Sequence, residues 1–245
     1  MRSRIALSVI CVVASVVSLS YGAENRPLSV CMVSGSEEYK SDVSLTKFKD
    51  YLENGYNARC ILIKAQNNKD LPGIEVLDNC DVGLFFTRRL DTDGEQLERV
   101  KKYCLSGRPI VAVRTACHGF QKWLEFDKLV VGGNYTGHFG RNEVAEIKIE
   151  AGAKNHPVLA GVADFVTTSS LYKTAPIASD CTLLMTGTTS ISKGPQPVTW
   201  TRLHNGGRVF FTSLGGVEDF ENAMFQRMIV NALFWTAERE VQRKK

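Results

Sequence analysis

Between Leu28 and Lys128 short apolar runs alternate with longer helical patterns, and few folds accommodate that alternation. LSVCMVS (28–34), RCILIKA (59–65), DVGLFF (81–86) and PIVAV (109–113) read as strands. Alternating with helical patterns, they predict a parallel sheet. Between them, VSLTKFKDYLEN (43–54) puts Leu45, Phe48 and Leu52 on one helical face. DTDGEQLERVKKYCLSG (91–107) does the same with Leu97, Val100 and Cys104, with an acidic or Thr cap before it and a glycine to stop it. This is the βαβ pattern of an α/β domain.

The second half is less regular. VAEIKIE (144–150) and CTLLMTG (181–187) predict strands, and TWTRL, Asn205-Gly206-Gly207 and RVFFTSL (208–214) predict a hairpin. From Phe220 to the end the pattern predicts a long helix with Phe225, Ile229, Ala232 and Leu233 facing the core, its basic Arg243-Lys244-Lys245 end suiting the negative helix pole.

Residues 1–23 read as a signal peptide: Arg2 and Arg4, an apolar run from Ile5 to Val17, then a small-residue exit. The run is shorter than the roughly 20 residues of a spanning helix, which predicts cleavage, export to periplasm or medium, and no stable membrane insertion. The remaining residues 24–245 suffice for one domain. Losing Arg2 and Arg4 takes the formal charge from +4 to +2, too little to point to nucleic acid. Six cysteines remain: Cys31, Cys60, Cys80, Cys104, Cys117 and Cys181. Export permits disulfides, yet their apolar settings fit free thiols used as small core residues.

In a doubly wound sheet, ligands bind beyond the carboxyl ends of strands, which singles out Ser34 to Tyr39, Arg114 to His118 and Thr212 to Glu218. At Arg114-Thr115-Ala116-Cys117-His118-Gly119 a strand meets a small-residue corner, which resembles a nucleophile elbow; a helix following it would favour thiolate. Cys117 is thus either a nucleophile or core filling. His118 and His138 are candidates for proton transfer, with Glu218 or Glu37 to orient them. Arg114, leaving an apolar strand, needs a buried carboxylate or a ligand, and Glu37 is one candidate partner. Thr115, Tyr39 and Tyr135 complete the predicted substrate-binding set. His118, His138 and a carboxylate would suit zinc or iron, but no paired histidine spacing supports a metal, and no cofactor is called for. His156 before Pro157 is expected to cap a turn.

Cys117-His118-Gly119-Phe120-Gln121 resembles the Cys-x-Gly-x-Gln elbow of class I glutamine amidotransferases. In that family a late His-x-Glu supplies the base; the matching place here is Gly216-Val217-Glu218, so the standard glutaminase triad is not expected. Nearly the whole mature chain is similar to the ThuA-like, trehalose-utilisation branch of that superfamily. The resemblance rests on GGNYTGHFG (132–140), NHPVLAGV (155–162), the Tyr172 region, PVTWTRLHNGGRVFFTSLGG (197–216) and FQRMIVNALFWT (225–236). In an exported branch the fourth-strand motif resembles Arg-Thr-Ala-Ser/Thr-His-Ala-Phe, which makes Cys117 its variable member. Two positions depart from many relatives: Ser169-Ser170 replaces Asp-Glu, and Gly216 replaces histidine. The resemblance implies a flavodoxin-like, class I glutamine amidotransferase-like fold, a doubly wound, mostly parallel sheet in three α/β/α layers. It also implies a carbohydrate partner, with disaccharides and keto-sugars as reference substrates. A binding module without catalysis is the alternative.

Overall fold

The computed structural model describes residues 26–140 and 143–244; the predicted leader and its Cys11 lie outside them. Nine strands form a single sheet: β1 (Leu28–Gly35), β2 (Ala58–Lys64), β3 (Val82–Thr87), β4 (Ile110–Val113), β5 (Ala145–Ile149), β6 (Phe165–Thr167), β7 (Thr182–Thr188), β8 (Gln196–His204) and β9 (Gly207–Thr212). Their spatial order is β2-β1-β3-β4-β9-β8-β7-β5-β6. From β2 to β9 neighbours run parallel; from β9 outward to β6 they alternate in direction.

Every residue of β3 and β4 is buried, so these two strands are covered on both faces. Helix α1 (Ser41–Gly55) covers one face with Leu45, Phe48 and Leu52, joined there by α3 (Ala223–Thr236) through Phe225, Ile229, Ala232 and Leu233. Helix α2 (Gly94–Leu105) covers the other with Leu97, Val100 and Cys104. The result is three α/β/α layers. Beyond β4, on the α2 side, the sheet is covered not by a long helix but by Trp123, Phe126 and a wide helical turn at Asp127–Val131. Trp200 of β8 anchors that cover, donating from Nε1 to the Val131 carbonyl (2.8 Å) and packing on Phe211.

The β8–β9 hairpin forms as expected, with Asn205 (φ 49°) and Gly206 (φ 86°) in the left-handed region that a tight turn of matching twist requires. Strand β6 carried too short an apolar signal to be read. The six described cysteines are all unpaired, five of them buried. His156 caps the turn at Pro157, accepting from the Val158 amide (3.2 Å).

Two local expectations are corrected. The last helix ends at Thr236, not at the chain terminus. Glu238 takes a positive φ (56°) and turns the tail back, where the Asn57 amide donates to Gln242 and the Lys244 amide to Gly55. Arg243 therefore lies over the Tyr56 ring rather than at a helix pole. Nor does a helix follow the elbow. The amides of Leu90 and Gln121 bond the carbonyls of Gly119 and Leu90, so this stretch is committed to the neighbouring segment beyond β3. Phe120, Trp123 and Phe126 then turn inward against each other.

Because Trp200 is fully buried and supplies the only donor shown for the Val131 carbonyl among the described residues, Trp200→Ala should cost about 3–5 kcal/mol, read as a lower denaturant midpoint. Leu203→Ala on the exposed edge of the same strand should stay within roughly 0.5 kcal/mol.

Candidate functional site

The parallel strands deliver four chain segments to their carboxyl edge, around the reversal of strand order between β1 and β3. A cavity of about 580 Å³ opens there. Its walls come from Glu38 and Tyr39 after β1, Arg88 and Arg89 after β3, Arg114 and His118 after β4, and Gly216 to Glu218 after β9. The glycine-rich loop adds Tyr135 and His138, and the strand-like segment it lies on adds Ser169, Ser170 and Tyr172. That loop is fixed by backbone hydrogen bonds: the amides of Asn134, Thr136 and Phe139 donate to the carbonyls of Thr174, Lys173 and Leu171.

Arg114 is the floor of the cavity. It leaves β4 in the left-handed region (φ 52°) and is 1% exposed. Nη1 donates to the carbonyls of Ser213 (2.7 Å) and Ser170 (3.2 Å), and Nη2 to Ser170 Oγ (3.1 Å). The Tyr39 and Tyr172 rings lie 4.5 and 4.7 Å from the guanidinium carbon. A buried cation is costly unless its charge is met, and here ring faces and carbonyl dipoles meet it in place of a carboxylate. Arg114 Nε is buried without an acceptor among the described residues. The expected contact with Glu37 is not made. Glu37 is exposed and lines a separate groove with Ser36, Asp42 and Asn67. Its neighbour Glu38 lines the cavity instead, paired to Arg88 Nε (2.7 Å).

Thr115 is also corrected: it does not line the cavity but is fully buried, donating to Ser36 Oγ (3.1 Å) and stitching the β4 corner to the β1 exit. Cys117 is 2% exposed and faces a smaller cavity behind His118, shared with Gln121, Asp127 and Lys128. Its Sγ lies 3.2 Å from His118 Nδ1, close enough for proton transfer. The electrostatics oppose it. Burial, with Asp127 nearby, pushes the thiol well above its ordinary value. Burial together with Arg89, Arg88 and Arg114 pushes His118 down to about 3. Both partners are neutral at pH 7, so the pair is a thiol against an imidazole rather than a thiolate–imidazolium nucleophile. Asp127, by contrast, is pushed up to about 6 by burial and accepts from the Tyr135 amide (2.7 Å).

The His118 ring stacks on Tyr135 (4.3 Å between centroids), which in turn meets Tyr172 (4.9 Å). His138 is exposed, its Nδ1 3.0 Å from the Gly140 carbonyl. In the neutral ring Nδ1–H is then the donor and Nε2 keeps its lone pair, the state of a base. Glu218 is exposed at the β9 side. Behind it Asp219 is buried, accepting from Ser169 Oγ (2.7 Å) and the amides of Gly215 (2.7 Å) and Gly216 (2.9 Å), and from Thr167 Oγ1. The two departures noted in the sequence are neighbours here: Ser169 Oγ accepts from the Gly216 amide (3.1 Å), and any Cβ at position 216 would run into that same oxygen. Among the described residues no group of three or more His, Cys, Asp or Glu side chains is arranged to hold a metal ion.

The family profile described as ThuA, trehalose utilisation, matches residues 29–236. The chain belongs to the ThuA family. Solved structures share its fold. A ThuA-like protein from Parabacteroides merdae superposes with a TM-score of 0.72 at 18% identity, covering 90% of this chain and 93% of its own. One from Bacteroides uniformis gives 0.66 at 18% identity, covering 86% and 92%. The fold also occurs within the β-galactosidase of Bacillus circulans sp. alkalophilus, with a TM-score of 0.58 at 13% identity over 87% of this chain and 31% of that one. Among curated proteins no sequence matches. The cavity also holds Arg88 and Arg89, which sequence reasoning passed over. The sequence carries the signal: two arginines directly after the apolar run of β3 have the same meaning as Arg114 after β4. Asp219 gave no such signal, because two of its four donors, Thr167 and Ser169, lie some fifty residues away in sequence.

Two outcomes are expected. First, ¹⁵N-histidine NMR should find His118 neutral throughout pH 5–8. Its depressed value means the unfolded chain takes up a proton that the folded chain refuses, so its contribution to stability is intact above about pH 6.5 and falls by about 3 kcal/mol by pH 4. Second, Cys117 in the folded protein should resist iodoacetamide at pH 8 for hours, and Cys117→Ser should leave folding intact; rapid alkylation would restore the nucleophile reading.

Proposed function

We propose that this ThuA-family protein is exported and binds a carbohydrate, a disaccharide or keto-sugar derivative, at the carboxyl edge of its sheet. The observation that carries this reading is the cavity wall: Tyr39, Tyr135 and Tyr172 offer ring faces beside the hydroxyls of Ser169 and Ser170 and the donors of Arg88, Arg89 and His118. Sugars need both, since their C–H faces pack on aromatic rings while their hydroxyls seek convergent polar groups. A volume of about 580 Å³ suits a ligand of that size. Family membership supports the carbohydrate link. The leader motif supports export.

As an enzyme the protein would transfer protons next to a sugar carbonyl rather than hydrolyse amides. His138 Nε2 is the available base. His118, held neutral, can donate a hydrogen bond from Nε2–H to a carbonyl oxygen when Cys117 S–H donates to Nδ1. The second reading, a binding module without turnover, is favoured by Ser169 and Gly216, which fill the place of the acid and imidazole found in many relatives.

Calorimetry with trehalose, other disaccharides and their 3-keto derivatives, paired with product analysis, tests both. Binding is expected, weakened about tenfold by Tyr135→Ala through lost stacking. Turnover that His138→Gln abolishes supports the enzyme, whereas binding without product supports the module. Absence of binding across the panel sinks the carbohydrate reading. Sequencing of the mature N-terminus should find it at about residues 20–24.

A further inference from the structure

We infer that the saccharide taken by this cavity is an acidic one, a uronate or a sugar phosphate, whose anionic group is received by Arg89; this rests on the carbohydrate reading of the same site. Eight described non-glycine residues have positive φ, and the two that line this cavity are both arginines, Arg89 (φ 47°) and Arg114 (φ 52°). They follow adjacent parallel strands, β3 and β4, so the same unfavourable turn is used twice to point cationic residues at one place. The Arg89 backbone is held rigidly: its amide donates to the His118 carbonyl (2.8 Å) and its own carbonyl accepts from Asn68 Nδ2 (3.3 Å).

Its side chain is not. The three cavity arginines differ in how their charges are met. Arg88 is paired with Glu38, and Arg114 is enclosed by carbonyls, Ser170 Oγ and two rings. The Arg89 guanidinium makes no ion pair or hydrogen bond with any described residue, yet it lines both the main cavity and the smaller one behind His118. The carboxylates nearby do not pair with it: Glu38 is engaged by Arg88, Asp219 by two hydroxyls and two amides, and Asp127, in the smaller cavity, accepts from the Tyr135 amide without an ion pair to Arg89. Glu218 is exposed at the β9 wall, leaving the β3 wall cationic. A neutral sugar's hydroxyls each bring a donor to satisfy as well as acceptors, while a guanidinium only donates, in the planar fork that carboxylate and phosphate fill. The neutral state of His118, forced partly by Arg89, Arg88 and Arg114, reports the same positive field.

The test compares glucose, glucuronate, glucose 6-phosphate and inorganic phosphate by calorimetry on the wild type and on Arg89→Asn, since asparagine tolerates a left-handed backbone; Arg89→Lys and thermal melts control for charge and folding. At least a tenfold preference for glucuronate or glucose 6-phosphate over glucose is expected. It should be erased in Arg89→Asn, partly kept in Arg89→Lys, and weakened as salt rises. The two acid arms separate carboxylate from phosphate. Equal affinity for acidic and neutral sugars, or a preference that survives Arg89→Asn in a folded variant, overturns the inference while the carbohydrate reading stands. Inorganic phosphate binding as tightly as glucose 6-phosphate, with the same loss in Arg89→Asn, keeps the anion site and sinks the carbohydrate reading. No binding by any of the four overturns the inference, and the disaccharide panel then decides the carbohydrate reading by itself.

Discussion

The carboxyl edge of this sheet is organised around one buried positive charge. Arg114 draws the β9 exit to it through Ser213, the Tyr172 segment through Ser170, and the β1 exit through the Tyr39 ring. Three loops distant in sequence thus share a single guanidinium. Removing it would leave two carbonyls and a serine hydroxyl without their donor, and would leave two tyrosine rings facing an empty space. The left-handed turn that Arg114 adopts is the local cost of bringing a strand-end side chain under the loops rather than out to water.

The same charge sets the chemistry beside it. A cysteine and a histidine 3.2 Å apart would ordinarily invite a nucleophilic reading, and distance alone would support it. Burial raises the thiol and lowers the imidazole, and three arginines lower the imidazole further. The missing helix after Gly119 removes the dipole that would have favoured thiolate. Electrostatics therefore decides against a relation that geometry permits, and the polar groups left facing solvent at the exposed edge of the cavity include His138 and Glu218.

Around Ser169 and Gly216 this chain has a small hydrogen-bonded cluster. Asp219 gathers Thr167, Ser169 and the amides of Gly215 and Gly216, and the room that a side chain at position 216 would need is occupied by Ser169 Oγ. The serine and the glycine are thus sterically coupled. A side chain could not enter at 216 without displacing Ser169 and, with it, one of the donors to Asp219.

The fully apolar β3 and β4 and the helical faces of Leu45, Phe48 and Leu52 and of Leu97, Val100 and Cys104 determined the parallel half by themselves, because period and burial are local properties of a chain. Strand-end position likewise marked Arg114, His118 and Glu218, and would have marked Arg88 and Arg89. Family motifs placed Tyr135 and His138 in a loop of interest. Tertiary structure alone decided the rest. Thr115 and Glu37 sit beside the site in sequence but face elsewhere, because the direction of a side chain in a tight turn depends on which neighbour the backbone is bonded to. The expected helices after Gly119 and beyond Thr236 gave way to bonds with Leu90, Asn57 and Gly55. Asp219, the unpaired Arg89 and the neutral state of Cys117 and His118 depend on charges and donors from segments far apart in the chain, whose distances exist only once it has folded.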